Sequence, residues 1–414
     1  MNPTPPNRSA WPLMLCAAAI LMITMGARQS MGLFVAPINE ATHLGIVSIS
    51  FALAIGQFVW GAVQPVFGAI ADKHGAGRVI VFGTLLLAAG LALTPFAHAQ
   101  WSLLITLGVL SAAGAGAGSF SILIGATANQ LPAQRRSFAS GFINAGGSAG
   151  QFVFAPLSQA LIGAFGWVYA MLALAASSLL TLPLIAGLRG RGGPAQAGTA
   201  AAPALAAAAH DAGLRAQLRL ALRDRSYLFL HAGFFTCGVH IAFLVTHLPG
   251  EVNLCGLPAS VSATSLALIG LFNIAGSLTA GALGSRYRMK YVLGAMYGSR
   301  ALIIGIYLLS PRTPLTFYIF AAALGFSWLA TVPPTAGLVG KLFGTRYLGT
   351  LFGLTLLSHQ IGGFFGAWLG GITISRFGDY SWMWYADMAL AAAAALVCLP
   401  IREARLQRTQ LAAA

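Results

Sequence analysis

Long apolar runs separated by short polar breaks dominate the chain. Twelve such runs are readable, at about 11–37, 45–70, 79–98, 102–127, 137–163, 166–187, 227–248, 259–283, 291–310, 314–339, 348–372 and 382–400. Most hold the roughly 20 residues that span a bilayer core as a helix. The connections are short, except between the sixth and seventh runs. There 188–226 begins Arg189-Gly190-Arg191-Gly192-Gly193-Pro194, continues through an Ala-rich stretch and ends with Arg215, Arg219, Arg223 and Arg225. That segment predicts a basic linker with a short amphipathic helix, too simple in composition for a folded domain. The organisation expected is a six-helix half over 1–187, the linker, and a second half over 227–414.

Composition supports this reading. The chain has 414 residues, 57% hydrophobic and 7% charged, whereas soluble domains carry about 25% charged residues. Fifty glycines suit membrane helices that approach closely. The fold class predicted is an all-α polytopic membrane protein with twelve transmembrane helices in two pseudo-symmetric halves. The first run is too long for the apolar part of a signal peptide, so it reads as a retained helix.

The +15 net charge could suggest nucleic acid, but its distribution argues against that partner. With the N-terminus in the cytoplasm, one side holds Arg8, Lys73, Arg78, Arg135, Arg136, the six linker arginines, Arg286, Arg288, Lys290, Lys341, Arg346, Arg402, Arg405 and Arg408. The other holds only Arg312 and Arg376. Basic residues accumulate on the cytoplasmic side of membrane proteins. Both termini are therefore expected inside, and the lipid bilayer is the large partner. Arg28 and Arg300 fall within helices.

One polar break has a structure of its own: Gly68, Asp72, Lys73, Gly75 and Arg78, in the pattern Gly-x-x-x-Asp-Lys-x-Gly-x-x-Arg. A weaker copy lies 213 residues later, from Gly281 through Ser285 and Arg286 to Lys290. A second repeat pairs Arg136-Ser137-Phe138 at the fifth helix with Arg346-Tyr347-Leu348 at the eleventh. Gly-rich helices follow in both places, with Gly146, Gly147 and Gly150 in one and Gly362, Gly363, Gly366, Gly370 and Gly371 in the other. Parallel six-helix repeats are a transporter layout. These motifs resemble the major facilitator superfamily along the whole chain. Gly26–Pro37 and Ser358–Trp368 are similar to a bacterial branch related to monocarboxylate and oxalate/formate transporters. The resemblance implies secondary transport by alternating access, with a proton-coupled small organic anion such as a monocarboxylate as cargo. It implies a bacterial inner membrane and a protein acting as a monomer. The alternatives are an exporter or exchanger of another solute on the same fold, or a non-transporting membrane sensor or assembly factor.

Charges within membrane helices are functional candidates. Arg28 stays ionised and its planar fork fits a carboxylate; the plainer reading is an arginine that snorkels or ties down carbonyls. His240 and His359 titrate near neutral pH and suit proton coupling, or else serve as neutral helix-to-helix bonds. Gln57, Trp60, Asn144, Gln151, Asn273, Trp328 and Gln360 complete the expected cavity wall, with helix joining as the alternative role. Asp387 is expected to cap or to pair with Arg376, with a proton site as the alternative. Arg300 is divided between function and scaffold. Asp72 is expected to pair with Arg135 or Arg136, or with a helix N-terminus, as a latch; Ser285 weakens the second copy, beside Arg286. No nucleotide loop, no metal cluster and no cysteine pair is spaced for chemistry. Neither a cofactor nor enzyme activity is expected.

Overall fold

The computed structural model describes residues 11–128, 130, 133–188, 214–343 and 348–403. At 69, 72–73, 124–125, 128, 133–138, 140, 214–215, 285 and 348–349 it describes the backbone alone. The expected contact of Asp72 with Arg135 or Arg136, and the side chains of Lys73 and Ser285, lie outside this description. Arg78 and Arg286 are exposed on the basic face.

The described residues form helices joined by turns, without a strand. Ten helical stretches are long and apolar enough to cross a membrane. One of them, Gly141–Leu188, contains a break at Gly166, whose φ of 81° turns the chain back, and so makes two crossings. Leu348–Phe377 is also long enough at 30 residues, but Ser358, His359 and Gln360 make its middle more polar. The total is twelve. Large apolar side chains such as Trp101, Phe165 and Leu309 stay exposed on the outside of the bundle, where hydrocarbon rather than water suits them.

Three crossings are interrupted. The first runs Trp11–Gln29, turns at Ser30, tightens over Met31–Phe34 and resumes at Val35–Thr42. The fourth widens over Leu104–Ser111 and breaks before Phe120. The tenth runs Pro314–Ser327, unwinds over Trp328–Thr331 and restarts at Val332–Phe343. Pro333 and Pro334 explain that unwinding, because they remove two amide donors and suit only the first turn of a new helix.

The repeated glycines bring helices together in the same way in both halves. A Cβ on Gly150 would lie 2.1 Å from the Met22 carbonyl, and one on Gly366 would lie 2.1 Å from the Val239 carbonyl. The fifth crossing thus seats against the first, and the eleventh against the seventh. Across the seam the second crossing packs on the eleventh and the fifth on the eighth. Gly61 receives the stem of Gln360, Gly371 receives Ser50, and Phe51 meets Trp368 edge-to-face at 5.8 Å.

On the basic face the linker helix Leu214–Arg223 docks through Leu218 and Ala221. Asp224 caps the seventh crossing by accepting from Tyr227 N and pairs with Arg402 at 2.7 Å. Glu403 accepts from Met289 N at 3.0 Å and pairs with Lys341 at 2.7 Å. It supplies a carboxylate to the second copy of the glycine motif, where Ser285 has none.

Candidate functional site

A helix end from the first half and the middle of a helix from the second define the site. Arg28 closes the last turn of the first helical segment, and the seventh crossing faces it with Gly238, Ala242 and Val245. A cavity with about 940 Å³ of empty space, its mouth included, lies between the halves. Arg28, Gln57, Trp60, Asn144, Trp328, His359 and Gln360 line it, among Leu21, Met25, Phe234 and Leu356. Seven of the residues expected from sequence are therefore brought together. Three are not. Gln151 is buried against Gly270 at the seam, Asn273 bridges helices, and His240 is fully buried behind the wall.

Arg28 is held on two sides. It donates to the Gln57 side chain, and its guanidinium lies 4.4 Å from the centroid of Trp60. Held over the ring in this way, the guanidinium keeps its charge on the cavity wall. No carboxylate neutralises it among the described residues. His359 shares a 3.0 Å bond with Gln360 through Nδ1, leaving Nε2 open, and Gln360 Oε1 is also unpartnered. The wall therefore offers one fixed cation in an apolar surround, which suits a small anion with an organic body.

The cavity lining steps from Arg28 toward the basic face, through Leu21, Phe120 and Phe352. On the other side, Arg28 and Gln57 also border a smaller cavity of about 500 Å³. Beyond that lies a vestibule of about 1080 Å³ on the opposite face, with Glu40, Gln159, His247 and Asn253. Gly32 and Thr246 line both of these spaces. They are the partition. A Cβ on Gly32 would stand 1.9 Å from the Val245 carbonyl, so the halves close here only because the residue is glycine.

Of the two remaining charged groups, the expectation for one is corrected and that for the other is divided between function and scaffold. Asp387 pairs with His240 rather than Arg376; its place on the twelfth helix turns it inward to the seventh. Arg300 is wholly buried and donates to the carbonyls of Ser327 and Trp328 at 2.8 and 3.0 Å. It caps the unwound tenth crossing and does not face the cavity. Sequence reading missed that break, although the Pro333-Pro334 pair signals it. It also missed Gly32, which has no signal apart from being a glycine at a helix end.

Comparison with known proteins matches this architecture. The Major Facilitator Superfamily profile covers residues 15–367. Monocarboxylate transporter 13 of Rattus norvegicus is 27% identical, spanning 96% of this chain and 91% of that protein. The oxalate:formate antiporter of Oxalobacter formigenes is 21% identical over 89% of this chain and 86% of its own length. Among solved structures, a D-xylose-proton symporter superposes with a TM-score of 0.72 at 14% identity, covering 95% of this chain and 98% of that one; it supports the fold. With a matching profile over most of its length and the same helical bundle, this multi-pass membrane protein belongs to the Major Facilitator Superfamily.

Proposed function

We propose that the chain is a secondary active transporter that carries a small organic anion, of the monocarboxylate class, together with protons. The observation that carries this is Arg28: a guanidinium over Trp60, without a carboxylate partner among the described residues, on the wall of the cavity between the halves. A carboxylate takes its two parallel N–H donors, while the organic body meets Leu21, Met25 and Phe234. Relatives named for monocarboxylates, oxalate and formate support the cargo class. The halves are 1–187 and 227–414, with 188–226 as a cytoplasmic linker. The basic face is cytoplasmic by the positive-inside rule, so the large cavity faces inward and the Gly32–Thr246 partition is the closed outer gate. The protein acts as a monomer in a bacterial plasma membrane. His359 on the wall and His240 behind it are the candidate coupling groups.

The test is flux into liposomes containing the purified protein. Labelled pyruvate, lactate, formate and oxalate are offered with and without an inward proton gradient. The proposal expects gradient-driven accumulation of at least one. Uptake that ignores the gradient but rises with an internal anion would replace symport by exchange, the mode named for the Oxalobacter relative. No flux of any of the four would remove the cargo class.

A further inference from the structure

The second half holds a charged cluster that the anion site does not use. His240, Asp387 and Arg300 come from the seventh, twelfth and ninth crossings, and each is essentially inaccessible to solvent. His240 Nδ1 bonds to Asp387 Oδ2. His240 Nε2, Asp387 Oδ1 and two of the Arg300 nitrogens, Nε and one Nη, have no partner. Three ionisable groups within a membrane bundle, with open valences, are costly to keep there. A purely structural pair would satisfy those atoms.

The cluster is also wired to the seam. Arg300 grips the carbonyls of Ser327 and Trp328 in the unwound tenth crossing. The Trp328 ring lies edge-on to His240 at 5.7 Å and forms part of the cavity wall. The next residue, Leu329, donates its N–H to Asn273, and Asn273 donates to Ser148 of the other half at 2.9 Å. One continuous set of contacts therefore runs from the buried acid, through a helix break, to the opposite half.

We propose that the His240–Asp387 pair, with Arg300 beside it, is a proton-binding site separate from the anion cavity, and that the broken tenth crossing carries its state to the seam. This rests on the proton-coupled reading above. The arriving proton adds to His240 Nε2, while Nδ1–H stays donated to Asp387; it leaves from the same nitrogen to water on the other side. The elements packed around the pair bring a short set of titratable groups. The ninth adds Arg300 and Tyr297, the eleventh places His359 beside Cys237 of the seventh, the twelfth adds Asp387, and among the described residues the tenth brings the uncharged Trp328 and Thr331. Arg300 and Asp387 balance one another, so the proton leaves one positive charge in an apolar surround. An anion on the cavity side of Trp328 offsets it. Each ligand thereby strengthens the other, which is reciprocal coupling.

Two measurements test this, and they fail separately. The first needs no cargo. In ¹⁵N-histidine-labelled protein in liposomes, assigned with His240→Gln, the His240 ring is expected to change charge state between about pH 5 and 9. A ring that remains neutral throughout overturns the proposal. The second uses whichever of the four labelled anions the wild type carries. Wild-type affinity should weaken by up to about tenfold per pH unit once the site deprotonates. Asp387→Asn should flatten that slope and lose gradient-driven accumulation at least tenfold while anion exchange continues. Asp387→Glu, which keeps the acid, guards against a folding artefact and should retain the slope. A slope unchanged in Asp387→Asn overturns the proposal; absence of flux in the wild type counts against the cargo class and leaves the ¹⁵N result to decide this site.

Discussion

Arg28 and Arg300 are the same residue type in the same kind of place, a helix inside the bilayer, yet the molecule uses them in opposite ways. Arg28 is half-buried, stacked on Trp60 and bonded to a neutral amide, with cavity space in front of it. Arg300 is closed in on all sides and donates to two backbone carbonyls released by a helix break. One has its charge kept available at the cavity; the other commits one nitrogen to the backbone and keeps the rest within the buried His240–Asp387 cluster. An intramembrane charge marks a place worth attention, but its partners decide between ligand contact and scaffold.

That contrast gives graded expectations. Replacing Arg300 by Leu leaves Asp387 with its balancing charge removed and two carbonyls uncapped. Each buried acceptor left unpaired costs about 1–3 kcal/mol, so thermal unfolding in detergent should move down sharply, with reduced yield. Arg28→Leu should leave unfolding nearly unchanged and weaken anion binding at least tenfold instead. Equal losses of stability in the two variants would erase the distinction.

The outer gate gives the next effect. Gly32→Val cannot close against the Val245 carbonyl, so the population should shift toward the outward-open form. A single cysteine introduced at Asn253, in the vestibule, should then react faster with a membrane-impermeant maleimide. An unchanged labelling rate would show that Gly32 is not the stop. Trp60→Leu is a smaller change. It removes a stacking contact of about 0.5–2 kcal/mol, which appears as a few-fold to roughly thirtyfold weaker anion binding with folding intact.

Glu403 sets the lower end of the scale. Burial raises its carboxyl, but bonds from Lys341 and the Met289 and Lys290 amides outweigh that and hold it below its ordinary range. A lowered carboxylate contributes stability above its unfolded titration range and loses it as pH falls through the folded one. The difference in melting temperature between wild type and Glu403→Gln should therefore shrink on acidification. A difference independent of pH would contradict the assignment.

The architecture was legible because a bilayer leaves few choices. Run length, the Gly146/Gly150 and Gly362/Gly366 repeats and the lopsided arginines all express one constraint, so they agree with the twelve crossings and with the superfamily profile. The cavity wall was legible only in part. Arg28, Gln57, Trp60 and His359 share helices that face the seam, and polarity inside such helices is conspicuous. His240 and Asn273 are just as polar, but they turn away from the cavity toward Asp387 and the tenth crossing. Helix rotation and the break at Trp328 decide this, and neither follows from hydropathy. The break was signalled by Pro333-Pro334 yet passed within an otherwise apolar run.

The central claim is that Arg28 holds the carboxylate of the cargo. Equilibrium binding of labelled pyruvate, lactate, formate and oxalate to purified wild type, Arg28→Lys and Arg28→Ala tests it most directly. A lost charge-assisted bond of about 1.5–3 kcal/mol predicts roughly ten- to 150-fold weaker binding in Arg28→Ala, with Arg28→Lys in between because it keeps charge but not the fork. Wild-type affinity in Arg28→Ala for the anion bound most tightly would contradict the account.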